Sequence, residues 1–196
     1  MRTAVFALTE AGAQLARRVG LALGDQASLF VSSRHAILGA QTFGRLREAV
    51  QENFHRYDAL VFIMAAGIAV RSIAPYLVSK LEDPAVVVLD EQGRHVISLL
   101  SGHVGGANRL TRALAAALGA EPVITTATDV EGLVAPDALA AELGLFPEPH
   151  AAILAVNSAM LRGESISYYV DPACALAPFY LSLIHISEPT RLRCIS

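Results

Sequence analysis

The sequence has no tryptophan and only two cysteines, Cys174 and Cys194. Neither cysteine has metal-ligand spacing, so a disulfide framework and a zinc-ribbon site are both unsupported. A reduced, cytoplasmic setting is the expectation. Charge is also scarce, at 17% of residues with a net −3. No basic excess marks the chain as a nucleic-acid binder, and the tyrosines do not interleave with basic residues as a stacking platform would. Long apolar runs are missing too. The longest runs from Ala59 to Val70 and stops at Arg71, short of the roughly 20 residues that cross a bilayer. The start of the chain meets Thr9-Glu10 too soon for a secretory apolar segment. Neither a Gly-Lys-Ser/Thr phosphate loop nor a dinucleotide glycine fingerprint occurs. The expectation is therefore no nucleic acid, no membrane and no protein-bound metal.

What is abundant is apolar residue, 54% of the 196, with mean hydropathy +0.47. That suffices for one α/β domain with a large core and part of a second. Thr3 to Ala7, Ala27 to Val31, Leu60 to Met64, Ala85 to Leu89, His95 to Leu100 and Pro122 to Ile124 read as strands. Ala13 to Leu23, with Thr9 as N-cap and Gly24 as C-cap, reads as a helix whose inner side carries Leu15, Val19, Leu21 and Ala22. Phe43 to Phe54 reads as a second helix. A third carries Ile68, Val70, Ile73 and Ala74 and is ended early by Pro75. In a fourth, Leu110, Ala113, Leu114, Ala117 and Leu118 recur at helical spacing up to Gly119. Asp90 to Arg94 is a tight turn, so the strands around it form an antiparallel hairpin. The fold class is α/β, three-layered, on a mostly parallel sheet with that hairpin. Ala138 to Leu143 and His150 to Leu161 read as helices, with a strand at Ile166 to Val170, the start of a second α/β unit.

Three junctions carry the chemistry. The strongest is Ser101-Gly102-His103-Val104-Gly105-Gly106-Ala107-Asn108, a glycine loop between a strand and a helix. Its glycines let backbone approach a ligand, and the helix start offers amides and partial positive charge to an anion. His103 adds a group that moves protons near neutral pH. Gly67 with Arg71 repeats strand, glycine and helix, and an arginine forks well onto carboxylates. Thr125, Thr126 and Asp129 follow the last strand. Each junction has a plain structural reading as well: a tight turn, an exposed helix arginine, an N-capped helix start. Read together as loops at strand C-termini, where open α/β sheets bind ligands, they point to one cleft for an anion.

The blocks Gly67 to Pro75, Asp83 to Asp90, Ser101 to Asn108 and Ile124 to Asp129, in that order, resemble the cobalamin-biosynthesis protein CbiG family, the cobalt-precorrin-5A hydrolases. The likeness covers residues 1–132 as the family's N-terminal domain and 133–180 as part of its middle region. It implies the anaerobic route to vitamin B12: opening of the ring-A δ-lactone of cobalt-precorrin-5A and release of acetaldehyde, giving cobalt-precorrin-5B. Cobalt then arrives with the substrate, no further cofactor is implied, and neighbouring cobalamin-pathway enzymes are the expected partners. His103 is expected as general acid or base, or else as a carboxylate ligand, with Asp129 orienting it or the water. Gly105 and Gly106 would give oxyanion donors. Ser101 and Asn108 would position the lactone, with Gly67, Arg71, Arg109, Thr125 and Thr126 binding substrate. A tetrapyrrole-binding module without chemistry, a nucleotide-binding domain and a purely structural domain are the rival readings.

Leu181 to Arg191 shows no helical or strand period and matches a translated transposon-type sequencing adapter. Residues 181–196 are accordingly expected to be non-native read-through, the native protein to continue past about Tyr180, and this chain to be an inactive fragment without the family's C-terminal domain.

Overall fold

A computed structural model of the chain describes residues 1–79, 82–103, 105–130 and 150–164. Seven strands form one sheet: β1 (Thr3–Ala7), β2 (Ala27–Ser32), β3 (Gln41–Phe43), β4 (Ala59–Ile63), β5 (Ala85–Leu89), β6 (His95–Leu100) and β7 (Glu121–Val123). Their order is β3-β2-β1-β4-β5-β6-β7. The pairs from β3 to β5 are parallel, β5 and β6 are antiparallel, and β6 and β7 are parallel to each other.

Four helices cover the sheet: α1 (Glu10–Leu23), α2 (Leu46–Asn53), α3 (Ala66–Ile73) and α4 (Ala107–Leu118). Side chains alternate across a strand, so β1 feeds two cores. Val5 and Ala7 pack with Leu15, Val19, Leu110 and Leu114 of α1 and α4. Ala4 and Phe6 pack with Val50 of α2 and Ile73 of α3. Phe6 stacks between its register partners Phe30 and Phe62, with ring centroids 5.0 and 5.2 Å away. This is the three-layer arrangement that the apolar strands imply: β1, β4 and β5 are buried on both faces, as covered parallel strands are.

Three details differ from the sequence reading. Leu21 is 85% exposed, because Gly12, Ala13 and Ala16 complete the buried stripe of α1 with Leu15 and Val19. In α4, Ala113 and Ala117 face solvent while Thr111 and Ala115 are buried; alanine is too small for its polarity to mark a face. The second helix starts at Leu46, and Phe43 belongs to the short edge strand β3. The hairpin stands as read. Asp90 holds its turn by accepting the amides of Gln92, Arg94 and His95 at 2.9, 3.0 and 2.7 Å.

The chain divides into two compact units, Met1–Thr125 and Thr126–Ser196. Within the second, α5 (Ala127–Val130) and α6 (His150–Leu161) are described and touch each other. The expected helix at 138–143, the strand at 166–170 and the tail at 181–196 lie outside the described residues. Among the described residues no helix is long and apolar enough to cross a membrane.

Candidate functional site

The direction of β6 decides where the glycine loop lies. Val86 pairs with Leu100, and Leu89 with Val96. The end of β6 therefore stands beside the start of β5, and Ser101 to Asn108 sits at the edge where the parallel strands begin. Gly67 and Arg71 follow β4 at the opposite edge. A five-residue strand separates the two by roughly 16 Å. This corrects the expected single cleft: the three loops do not share one polarity, because the hairpin turns β6 and β7 around. Thr125 follows β7, parallel to β6, so it leaves the sheet at the glycine-loop edge. Thr126 and Asp129 belong to the second unit.

The glycine loop is closely self-packed. Ser101 has φ 56°, a left-handed conformation uncommon outside glycine. Its hydroxyl donates to the Asp83 carbonyl at 3.0 Å. A Cβ on Gly105 would collide with the Ser101 side chain, and one on Gly102 would lie 2.8 Å from Asn108 Oδ1. These two glycines make room for the loop's own side chains. Gly106, at φ 84°, turns the chain into α4. A Cβ there would meet Met1 Cε at 3.0 Å and Arg109 Nη2 at 3.7 Å, so Gly106 is the glycine over which an exposed guanidinium lies.

The amides at the start of α4 are largely used. Gly106 donates to the His103 carbonyl at 3.0 Å, Ala107 to Ser101 at 3.2 Å and Asn108 to Gly102 at 3.0 Å. In this arrangement the Gly106 amide is committed to the loop and is not presented to an oxyanion. Asn108 is 4% exposed, and its Oδ1 accepts the Ser98 hydroxyl at 2.6 Å. Its side chain meets Ser98 of the strand below and packs against Gly102. His103 is half-buried within the same loop.

At the opposite edge β1 and β4 lie side by side while their onward connections diverge, the topological switch point where open sheets commonly bind ligands. Arg71 donates from Nη1 to the Gly67 carbonyl at 3.1 Å, so it curls back over the first turn of α3. Ala65 gives that helix no side-chain cap. Next to it, Thr9 accepts the Gly12 amide at 3.1 Å and donates to Glu91 Oε1 at 2.8 Å. Among the described residues, no three His, Cys, Asp or Glu side chains converge as metal ligands.

Sequence reading missed Asp83 and Ser98, the two residues that hold the loop from beneath. Ser98 left a signal, as a lone hydroxyl in the apolar run from Val96 to Leu100. Asp83 was masked by Pro84, which made the pair read only as a chain break.

Residues 48–129 match the family described as cobalamin synthesis G, N-terminal. Over 170 residues the chain is 45% identical to a cobalt-precorrin-5A hydrolase of Salmonella typhimurium, covering 86% of this chain and 48% of that protein. It is 39% identical to one from Priestia megaterium, covering 84% and 45%. A crystal structure of a cobalamin biosynthesis protein G homolog from Sulfolobus solfataricus aligns with TM-score 0.51 at 25% identity, over 97% of this chain and 52% of that one. The chain thus spans about half the length of the curated relatives it matches.

Proposed function

We propose, from the match of residues 48–129 to the cobalamin synthesis G N-terminal family, that this chain supplies half of a cobalt-precorrin-5A hydrolase. The reaction is opening of the ring-A δ-lactone with loss of acetaldehyde, giving cobalt-precorrin-5B in cytoplasmic cobalamin biosynthesis. The observation that carries the proposal is the glycine loop. It lies inside the matched stretch, on a rigid sheet edge, and holds a histidine beside an arginine-flanked helix start.

Water adds across the lactone: hydroxide joins the acyl carbon, the ring C–O bond breaks, and the departing alkoxide takes a proton. That alkoxide, once deprotonated again, collapses to a carbonyl as its carbon–carbon bond to the macrocycle breaks. Acetaldehyde leaves, and the ring carbon keeps the electron pair and takes up a proton. These steps need one proton-transfer group and a donor for the tetrahedral oxyanion. His103 is assigned the first role. With the Gly106 amide committed, Gly105 is assigned the second. Arg109 binds a peripheral carboxylate, and Thr125 lines the same edge. Ser101 and Asn108 shape the loop rather than touch the lactone. Thr126 and Asp129 belong to the second unit, and Thr126→Ala and Asp129→Asn in the turnover assay test whether either takes part. Gly67 and Arg71, at the far edge, are left out of this constellation. Cobalt enters as part of the substrate.

Acetaldehyde release by the full-length gene product, measured beside this chain, tests the proposal. His103→Ala and His103→Asn are expected to lower turnover by about 10²- to 10⁴-fold, and near-wild-type turnover in both removes His103 from the chemistry. A second reading has one observation in its favour: the chain spans only about half of its relatives. On that reading it binds the macrocycle while the other half performs the hydrolysis. Corrinoid binding by this chain, together with His103 variants that keep full turnover in the complete protein, would select it.

A further inference from the structure

We propose that Leu77 and Val78 form an apolar platform for the face of a cobalt corrinoid, fixed beside the glycine loop by Asp83. The inference rests on the function proposed above and names a substrate-contacting surface for it.

Chain direction brings these residues to the right edge. α3 leaves the far edge, and a 3-10 turn, Ala74–Tyr76, completes the return. Tyr76 packs on Phe54, its ring 5.9 Å away, close to the entry into β4. The next two side chains are then left outside the core, Leu77 43% and Val78 65% exposed. Two adjacent apolar residues on the surface are unremarkable alone. Their attachment is what gives them a use. Asp83 is 6% exposed. Its carboxylate accepts the Val78 amide at 2.9 Å, and its own amide donates to the Ser79 carbonyl at 2.9 Å. Its backbone carbonyl accepts the Ser101 hydroxyl at 3.0 Å. One buried residue therefore clamps the apolar pair and the glycine loop to each other.

A corrinoid has a broad apolar face edged by carboxylates. An anion site alone would bind any small carboxylate. An anion site with an apolar surface tied to it at fixed register selects a flat, apolar-faced ligand with a charged rim. Arg109, lying over Gly106, supplies the cation for that rim, while Leu77 and Val78 supply the surface for the face. Both side chains are already exposed, so polar replacements leave the two cores untouched.

The complete chain is titrated under anaerobic conditions with cob(II)yrinic acid, a cobalt corrinoid with free carboxylates and one axial face open, followed by its visible absorption. The Leu77→Ser/Val78→Ser double variant is expected to bind about tenfold more weakly, from lost apolar burial, with an unchanged thermal midpoint. Arg109→Ala is expected to weaken binding and flatten its salt dependence. If Arg109→Ala weakens binding while the double variant binds as the wild type does, the platform is overturned and the site reading stands. If the wild-type chain does not bind this corrinoid at all, both fall together.

Discussion

Gly105 has no room for a side chain. The methyl of Gly105→Ala would run into Ser101, itself pinned to Asp83, so the loop must shift or stay strained. The expected loss is about 1–3 kcal/mol, read as the urea midpoint against Gly44→Ala, where a methyl meets nothing within 4 Å. Equal midpoints for the two variants would show that the loop is not packed as described. Asp90 gives a pH signature. Burial pushes its carboxyl up, but the amides of His95, Gln92 and Arg94, with the His95 side chain, pull it below the usual carboxylate range. A depressed carboxylate adds stability that is complete above its unfolded value, near 4, and is lost as pH falls through the lower folded value. Asp90→Asn should therefore be less stable than wild type at pH 6, with the gap closing as the pH falls below about 4. A gap that is the same at both pH values would sink this account.

Among the elements, what the sequence made legible was whatever depends on near neighbours. Thr9 caps α1 because a hydroxyl three residues before Gly12 reaches its amide, and β1 and β5 match their apolar runs residue for residue. Thr9→Ala should lower stability by about 1 kcal/mol and Thr9→Ser by much less, a ranking that thermal melts can check. The short strand β3 was invisible, since Gln41 and Thr42 are exposed and only Phe43 is buried. The hairpin at Asp90 to Arg94 is legible in its turn residues, but the edge at which the glycine loop lands depends on the pairing of β6 with β5, because an antiparallel strand ends at the other side of the sheet. Asp83 and Ser98 were hidden for a related reason: each acts across a separation of 10 or more residues, which no local pattern encodes.

For the molecule as a whole, both cores lie within Met1–Thr125. A chain cut after Val130 should unfold cooperatively in urea with a midpoint close to that of the complete chain. Loss of the transition would show that later residues are needed to close the core. The reversal at β6 also makes the sheet a spacer. What happens at Arg71 and what happens at Arg109 are separated by the length of a strand whose side chains are locked in two cores. Two occupants could sit at the two ends without competing, and energies there should simply sum. In corrinoid titrations, Arg71→Ala should leave the affinity within about twofold and add nothing beyond its own effect to Arg109→Ala. A protein laid out this way can take hold of a large ligand at one end while the other stays open to a different molecule.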